Sequence, residues 1–223
     1  MPSFKFVPAF LAILAIATVP VTAMAHGKGD KKHINETHDV SGFDKLEIGG
    51  VYDLDVTVGE KFSVRTSGHE NEVTAMTIKV EGDTLVVGRK KKAFRNFKRN
   101  QNGIEINITM PALSEVAIGG VADGKISGID ADHLQVQIGG VGGIEFSGKC
   151  KTLDIEVGGV GELDARDLKC ESAEVQLAGV GEIDLYASHS VDVQTAGVGE
   201  VNVYGNPDHV AKSKSFLSEV NIK

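Results

Sequence analysis

Residues 153–164 read Leu153-Asp154-Ile155-Glu156-Val157-Gly158-Gly159-Val160-Gly161-Glu162-Leu163-Asp164. Apolar and polar residues alternate on both sides of a glycine pair. Period-two alternation marks a strand with one buried face. The glycine pair separates two such strands. The same phrase recurs along the chain, with its second small residue at 120, 140, 159, 179 and 197, at spacings of 20, 19, 20 and 18. A degenerate copy, Phe216-Leu217-Ser218-Glu219-Val220, follows, and an earlier one, Ile48-Gly49-Gly50-Val51, stands apart. Repeats of this length stack as solenoids. No helical period interrupts them, so the chain reads as all-β: a right-handed parallel β-helix with coils of 18–20 residues.

The first glycine of the pair is Ala178 or Ala196 in two copies, so that position does not require a positive φ. Its column leaves a strip without side chains, open as a contact surface. The second position is glycine in all five copies and is expected to hold a strained corner.

The composition suits one domain of Val, Ile and Leu strands: 223 residues, 41% hydrophobic, 27 glycines, no Trp and a net charge of −8. Residues 1–25 read as a signal peptide, with Lys5 before an apolar run and Ala23-Met24-Ala25 as the cleavage site. The mature chain then has no transmembrane segment and is exported, to a bacterial periplasm or cell surface. Export gives weight to the only two cysteines. Cys150 and Cys170 each precede a coil start, Leu153 and Ala173, by three residues. Stacked coils place such positions about 4.8 Å apart, within reach of a disulfide.

Residues 26–40 are polar and read as a flexible tail, and a single domain is expected over 41–223, opening with an irregular N-terminal β cap. One basic run breaks the acidic background. Arg89, Lys90, Lys91, Lys92, Arg95, Lys98 and Arg99 lie within eleven residues that hold no acid. With Phe94 and Phe97 among them, they are candidates for binding a polyanion; the alternatives are an acidic face of another copy or a solvated insertion.

Several stretches together resemble a known family: Gly42-Phe43-Asp44, Ile48 to Val56, Gly82-Asp83-Thr84-Leu85, Met110-Pro111-Ala112-Leu113, the Gly-Val-Gly coils and Tyr204-Gly205-Asn206-Pro207. They are similar to the auto-transporter adhesin head group, the GIN domain of bacterial secreted and envelope proteins. The resemblance implies a parallel β-helix from about Val40 onward and an adhesin-like role. It carries over no catalytic residue.

Nothing in the chain spells a nucleophile–base set, a zinc motif or a phosphate loop, and no nucleotide cofactor is expected. The best chemical candidate is a pair of acidic columns on the second strand: Glu162, Glu182, Glu200 and Glu219, with Glu145, Asp164 and Asp184 two residues on. Stacked carboxylates repel. Either they hold a cation, with Ca²⁺ the best match to oxygen ligands, or they form a solvated face screened by salt. The function expected is a non-enzymatic envelope or surface binding module for a polyanion or glycan. A structural, self-assembling homo-oligomer is the alternative, and a polysaccharide-acting enzyme a more distant one.

Overall fold

The computed structural model describes residues 32–90 and 103–223. Five long strands build the solenoid: β9 (Val121–Ile138), β10 (Val141–Val157), β11 (Val160–Leu177), β12 (Val180–Thr195) and the shorter β13 (Val198–Tyr204). Each pairs in parallel with the next, and like repeat positions align: Val141↔Val160↔Val180↔Val198. The parallel β-solenoid expected from the glycine phrase is therefore the fold. The last coil closes with β14 (His209–Lys214) on β12 and β15 (Ser218–Ile222) on β13. The degenerate sixth copy thus stacks as a repeat, with Glu200↔Glu219.

Alternation fills the interior with columns of like residues. Val116, Val136, Ile155, Val175 and Val193 lie above one another, each no more than 3% exposed. Burying one such side chain contributes about 1.5–3 kcal/mol. This is why substitution of Ile for Val or Leu between coils is tolerated and a polar inward residue is not. Thr195 is the polar exception on the inward face of β12, where its hydroxyl meets that of Ser218.

The opening is irregular, as expected of a solenoid cap. β2 (Lys45–Ile48) and β3 (Val51–Val58) continue the parallel stack onto β8 (Glu115–Ile118) and β9. On their other edges Tyr52–Val58 pairs in parallel with Ile104–Met110 and Lys45–Ile48 with Thr84–Val87, and beyond these the pairing turns antiparallel. β1 (His33–His38) pairs with β4 (Ser63–His69), which pairs with β7 (Ile104–Met110). On the other side β5 (Met76–Glu81) and β6 (Thr84–Arg89) form the hairpin expected from Glu81-Gly82-Asp83. The one helix among the described residues, α1 (Glu70–Val73), is a single turn after β4. Tyr52 is buried beneath this cap and donates to the Gly88 carbonyl at 3.0 Å. Burial raises its pKa to about 12.

Two expectations change. The polar stretch 26–40 is not all tail: His33–His38 is β1, because β4 offers it six paired positions and Ile34 packs on the core. Backbone pairing outweighs its polar composition. Second, none of Gly120, Gly140, Gly159, Gly179 and Gly197 has a positive φ. Their requirement is close approach instead. A Cβ on any of them would lie 1.8–2.2 Å from a carbonyl oxygen of the preceding coil. The signal-peptide segment lies outside the described residues.

Candidate binding faces

Every coil turns two polar ladders outward. On the first strand, Gln135, Asp154, Glu174 and Asp192 share one register position; Gln137, Glu156, Gln176 and Gln194 share another. Beside the acidic one stands a hydroxyl ladder, Thr152, Ser172 and Ser190, with His133 and His209 at its ends. Ser190 donates to Ser172 at 2.8 Å, and the His133 ring lies 2.9 Å from Thr152 and 3.6 Å from the Asp154 carboxylate. Thr152, Ser172, Ser190 and His209, with Asp154, Glu174 and Asp192, line an open groove of about 710 Å³ that crosses four coils. The ladder was legible: each hydroxyl stands one residue before a coil start.

On the second strand the expected acidic columns are in register, with Glu162↔Glu182↔Glu200↔Glu219 and Glu145↔Asp164↔Asp184↔Asn202↔Asn221. The second column has its own partners. Arg166 grips Asp164, its Nε 3.0 and 3.1 Å from the two oxygens, and lies 3.4 Å from Asp184. It holds the Asp164 carboxyl below the usual range, chiefly through the hydrogen bond. Farther along, the amides Asn202 and Asn221 replace acids. Asn202 donates to Asp184 at 2.9 Å, and Asn221 to Asn202 at 3.2 Å and Glu200 at 2.9 Å. Among the described residues no group of three or more His, Cys, Asp or Glu is arranged to hold a metal ion. Arg166 escaped the repeat reading because it stands outside the repeat. Residues 166–168 have no register partner on β12, where Ala165 pairs with Leu185 and Lys169 with Tyr186.

Beyond that bulge Lys169, Tyr186 and Tyr204 share a position. The Lys169 ammonium lies 4.2 Å from the Tyr186 ring centre, and the Lys223 ammonium 5.5 Å from that of Tyr204. Behind them the third side carries the expected disulfide. Cys150 and Cys170 are register partners, bonded, with a Cα separation of 4.5 Å.

Of the basic run, Arg89 and Lys90 are described, and both are held by the cap. The Arg89 guanidinium, 6% exposed, pairs with Glu72, and the Lys90 ammonium donates to the Thr74 carbonyl at 2.6 Å. Arg89 thus leaves the polyanion-binding set, because burial beside Glu72 spends its charge inside the protein. Lys91, Lys92, Arg95, Lys98 and Arg99 lie outside the described residues.

The chain is similar to a crystal structure of a "putative adhesin" from Bacteroides fragilis NCTC 9343, at 27% identity and a TM-score of 0.72, over 86% of this chain and 98% of that one. A "putative lipid binding protein" from Parabacteroides distasonis ATCC 8503 matches at 22% identity and a TM-score of 0.48, over 87% and 98%. Comparison with curated proteins gives no match. Among the described residues no helix is long and apolar enough to cross a membrane. The model of the family described as "Putative auto-transporter adhesin, head GIN domain" matches residues 42–207, and the chain belongs to that family.

Proposed function

We propose that the protein is an exported, non-enzymatic binding module of the bacterial envelope, and that its groove beside Thr152, Ser172 and Ser190 receives a neutral glycan chain. One observation carries the reading. Hydroxyls and carboxylates repeat at one strand spacing across an open groove, Thr152–Ser172–Ser190 beside Asp154–Glu174–Asp192. Repeated donors and acceptors suit a polymer that presents hydroxyls at regular intervals, and the acidic edge disfavours polyanions. The Cys150–Cys170 bond fits an oxidising compartment. The acidic columns at Glu145, Glu162, Asp164, Glu182, Asp184 and Glu200 lie on the second strand, separate from the groove, and a polyanion would fall to the basic run from Lys91 to Arg99.

A glycan array probed with the purified protein tests the reading. Binding to neutral chains, without release of shorter products, is expected. Glu174→Gln with Asp192→Asn should weaken it at least roughly tenfold, equivalent to about 1.4 kcal/mol. Product release on incubation would make the protein an enzyme. Undiminished binding by the variant would move the site elsewhere.

A further inference from the structure

The corner that follows the glycine pair carries one valine per coil, and all of them face solvent. Val51, Val121, Val141, Val160, Val180 and Val198 are successive register partners, 38–51% exposed. Leu217, 63% exposed, extends the column beside Phe216, which is fully exposed. Monomers rarely show apolar ridges of this length. Alongside runs the strip of Gly119, Gly139, Gly158, Ala178 and Ala196. A Cβ added at any of these three glycines would meet nothing within 4 Å, and none of the three has a positive φ. Neither packing nor backbone conformation inside the chain asks for glycine there.

We propose that this corner is a self-association surface: two copies pack side by side, related by a two-fold axis parallel to the solenoid axis. That symmetry sets the valine ridge of each copy on the side-chain-free strip of the other, coil against coil at one common spacing. An antiparallel arrangement would instead set ridge on ridge. The ridge with Phe216 and Leu217 leaves several hundred Å² of mostly apolar surface per copy, comparable with the ~800 Å² per partner that a standard interface buries. The flanking columns suit the same docking. Glu182 and Glu200 of one copy come over Gln176 and Gln194 of the other, amide against carboxylate. Glu162 over Glu156 is the repulsive pair. Phe216 lies closest to the axis. It stands in the column of second glycines, in the last coil, where Ser215 in place of a corner amide donates to the Gly197 carbonyl at 2.7 Å and lets the turn splay outward.

Sedimentation velocity of the purified protein across a wide concentration range should show a monomer–dimer equilibrium. Val160→Lys with Val180→Lys should raise the dimer Kd by roughly tenfold or more and leave the melting curve of the monomer intact. Should that pair impair folding, Phe216→Ser with Leu217→Ser provides the same reading from a corner that no further coil covers. Phe216→Cys should form a disulfide-linked dimer on mild oxidation, and Asp132→Cys, on the third side, should not. A wild-type monomer at every concentration, or a dimer that survives both double variants, overturns the proposal.

Discussion

Gly159 lies so close over Gly140 that a Cβ on it would come within 1.9 Å of the Gly140 carbonyl oxygen. Its neighbour Gly158 has nothing within 4 Å of the same construction. Two adjacent glycines therefore differ in kind. Gly159→Ala must push two coils apart, breaking the stacking of the corner, and should destabilise by about 1–3 kcal/mol, the usual range for overpacking. Gly158→Ala should stay within about 0.5 kcal/mol, as an exposed substitution does. Urea denaturation of both variants checks the pair, and equal costs would show that the corner is set by something other than coil spacing.

Arg166 supplies the charge that lets Asp164 and Asp184 stack, and this gives a pH signature. With Arg166 in place the Asp164 pKa is lowered, so its contribution is present above the unfolded value near 3.8 and lost as pH falls through the folded one. Arg166→Ala removes the partner and leaves carboxylates one strand spacing apart. The Asp164 carboxyl then loses the hydrogen bond and the charge that lower its pKa, so the variant should lose less stability than the wild type as the pH falls through about 4. Denaturant midpoints at several pH values read the difference directly, and parallel curves would mean that Arg166 does not couple to the pair.

The sequence carried what repeats. Register, inward columns, the glycine corners, the parallel stack and the Cys150–Cys170 pairing all follow from aligning one coil on the next, because each coil meets the same neighbours. What does not repeat stayed hidden. Arg166 sits in a bulge that one coil has and the next lacks. β1 is built from a polar stretch that orders on the free edge of β4, with Ile34 against the core. At the second glycines sequence shows that a side chain is forbidden but not whether φ or a neighbouring carbonyl forbids it. Arg89 read as part of a surface run, and only the fold shows Glu72 beside it.

The disulfide joins register partners on adjacent coils, where both cysteines are buried, 6% and 2% exposed. Alkylation of the native, non-reduced protein should label no thiol. Closing a loop of this length in the unfolded chain stabilises by about 3 kcal/mol in the loop-entropy account. Cys150→Ala with Cys170→Ala should therefore lower the urea midpoint by a corresponding amount without altering the circular dichroism of the β fold. Two labelled thiols in protein isolated from an oxidising compartment would refute the bond.

The far end of the solenoid has to stop without inviting another strand. On β14 the positions aligned with buried Val191, Val193 and Thr195 are Val210, Lys212 and Lys214, and all three are exposed. Two of the three residues in core register are thus lysines, and the Lys212 ammonium turns back towards the Val220 carbonyl at 3.4 Å. An inward-pointing charge on an edge strand blocks continued pairing, since a further coil would bury it. Thr195, Ser215 and Ser218 add a polar plug, their hydroxyls bonded to one another. Lys212→Val with Lys214→Val restores an apolar end. The variant should keep its fold but grow open-ended assemblies, seen as scattering that rises with concentration and time and as filaments by electron microscopy. Such growth is distinct from the closed pair at the valine corner, because a head-to-tail contact does not close. If the double variant behaves like the wild type, the lysines are not what ends the stack, and the burden falls on the hydroxyl plug, which Thr195→Val with Ser218→Ala would then expose.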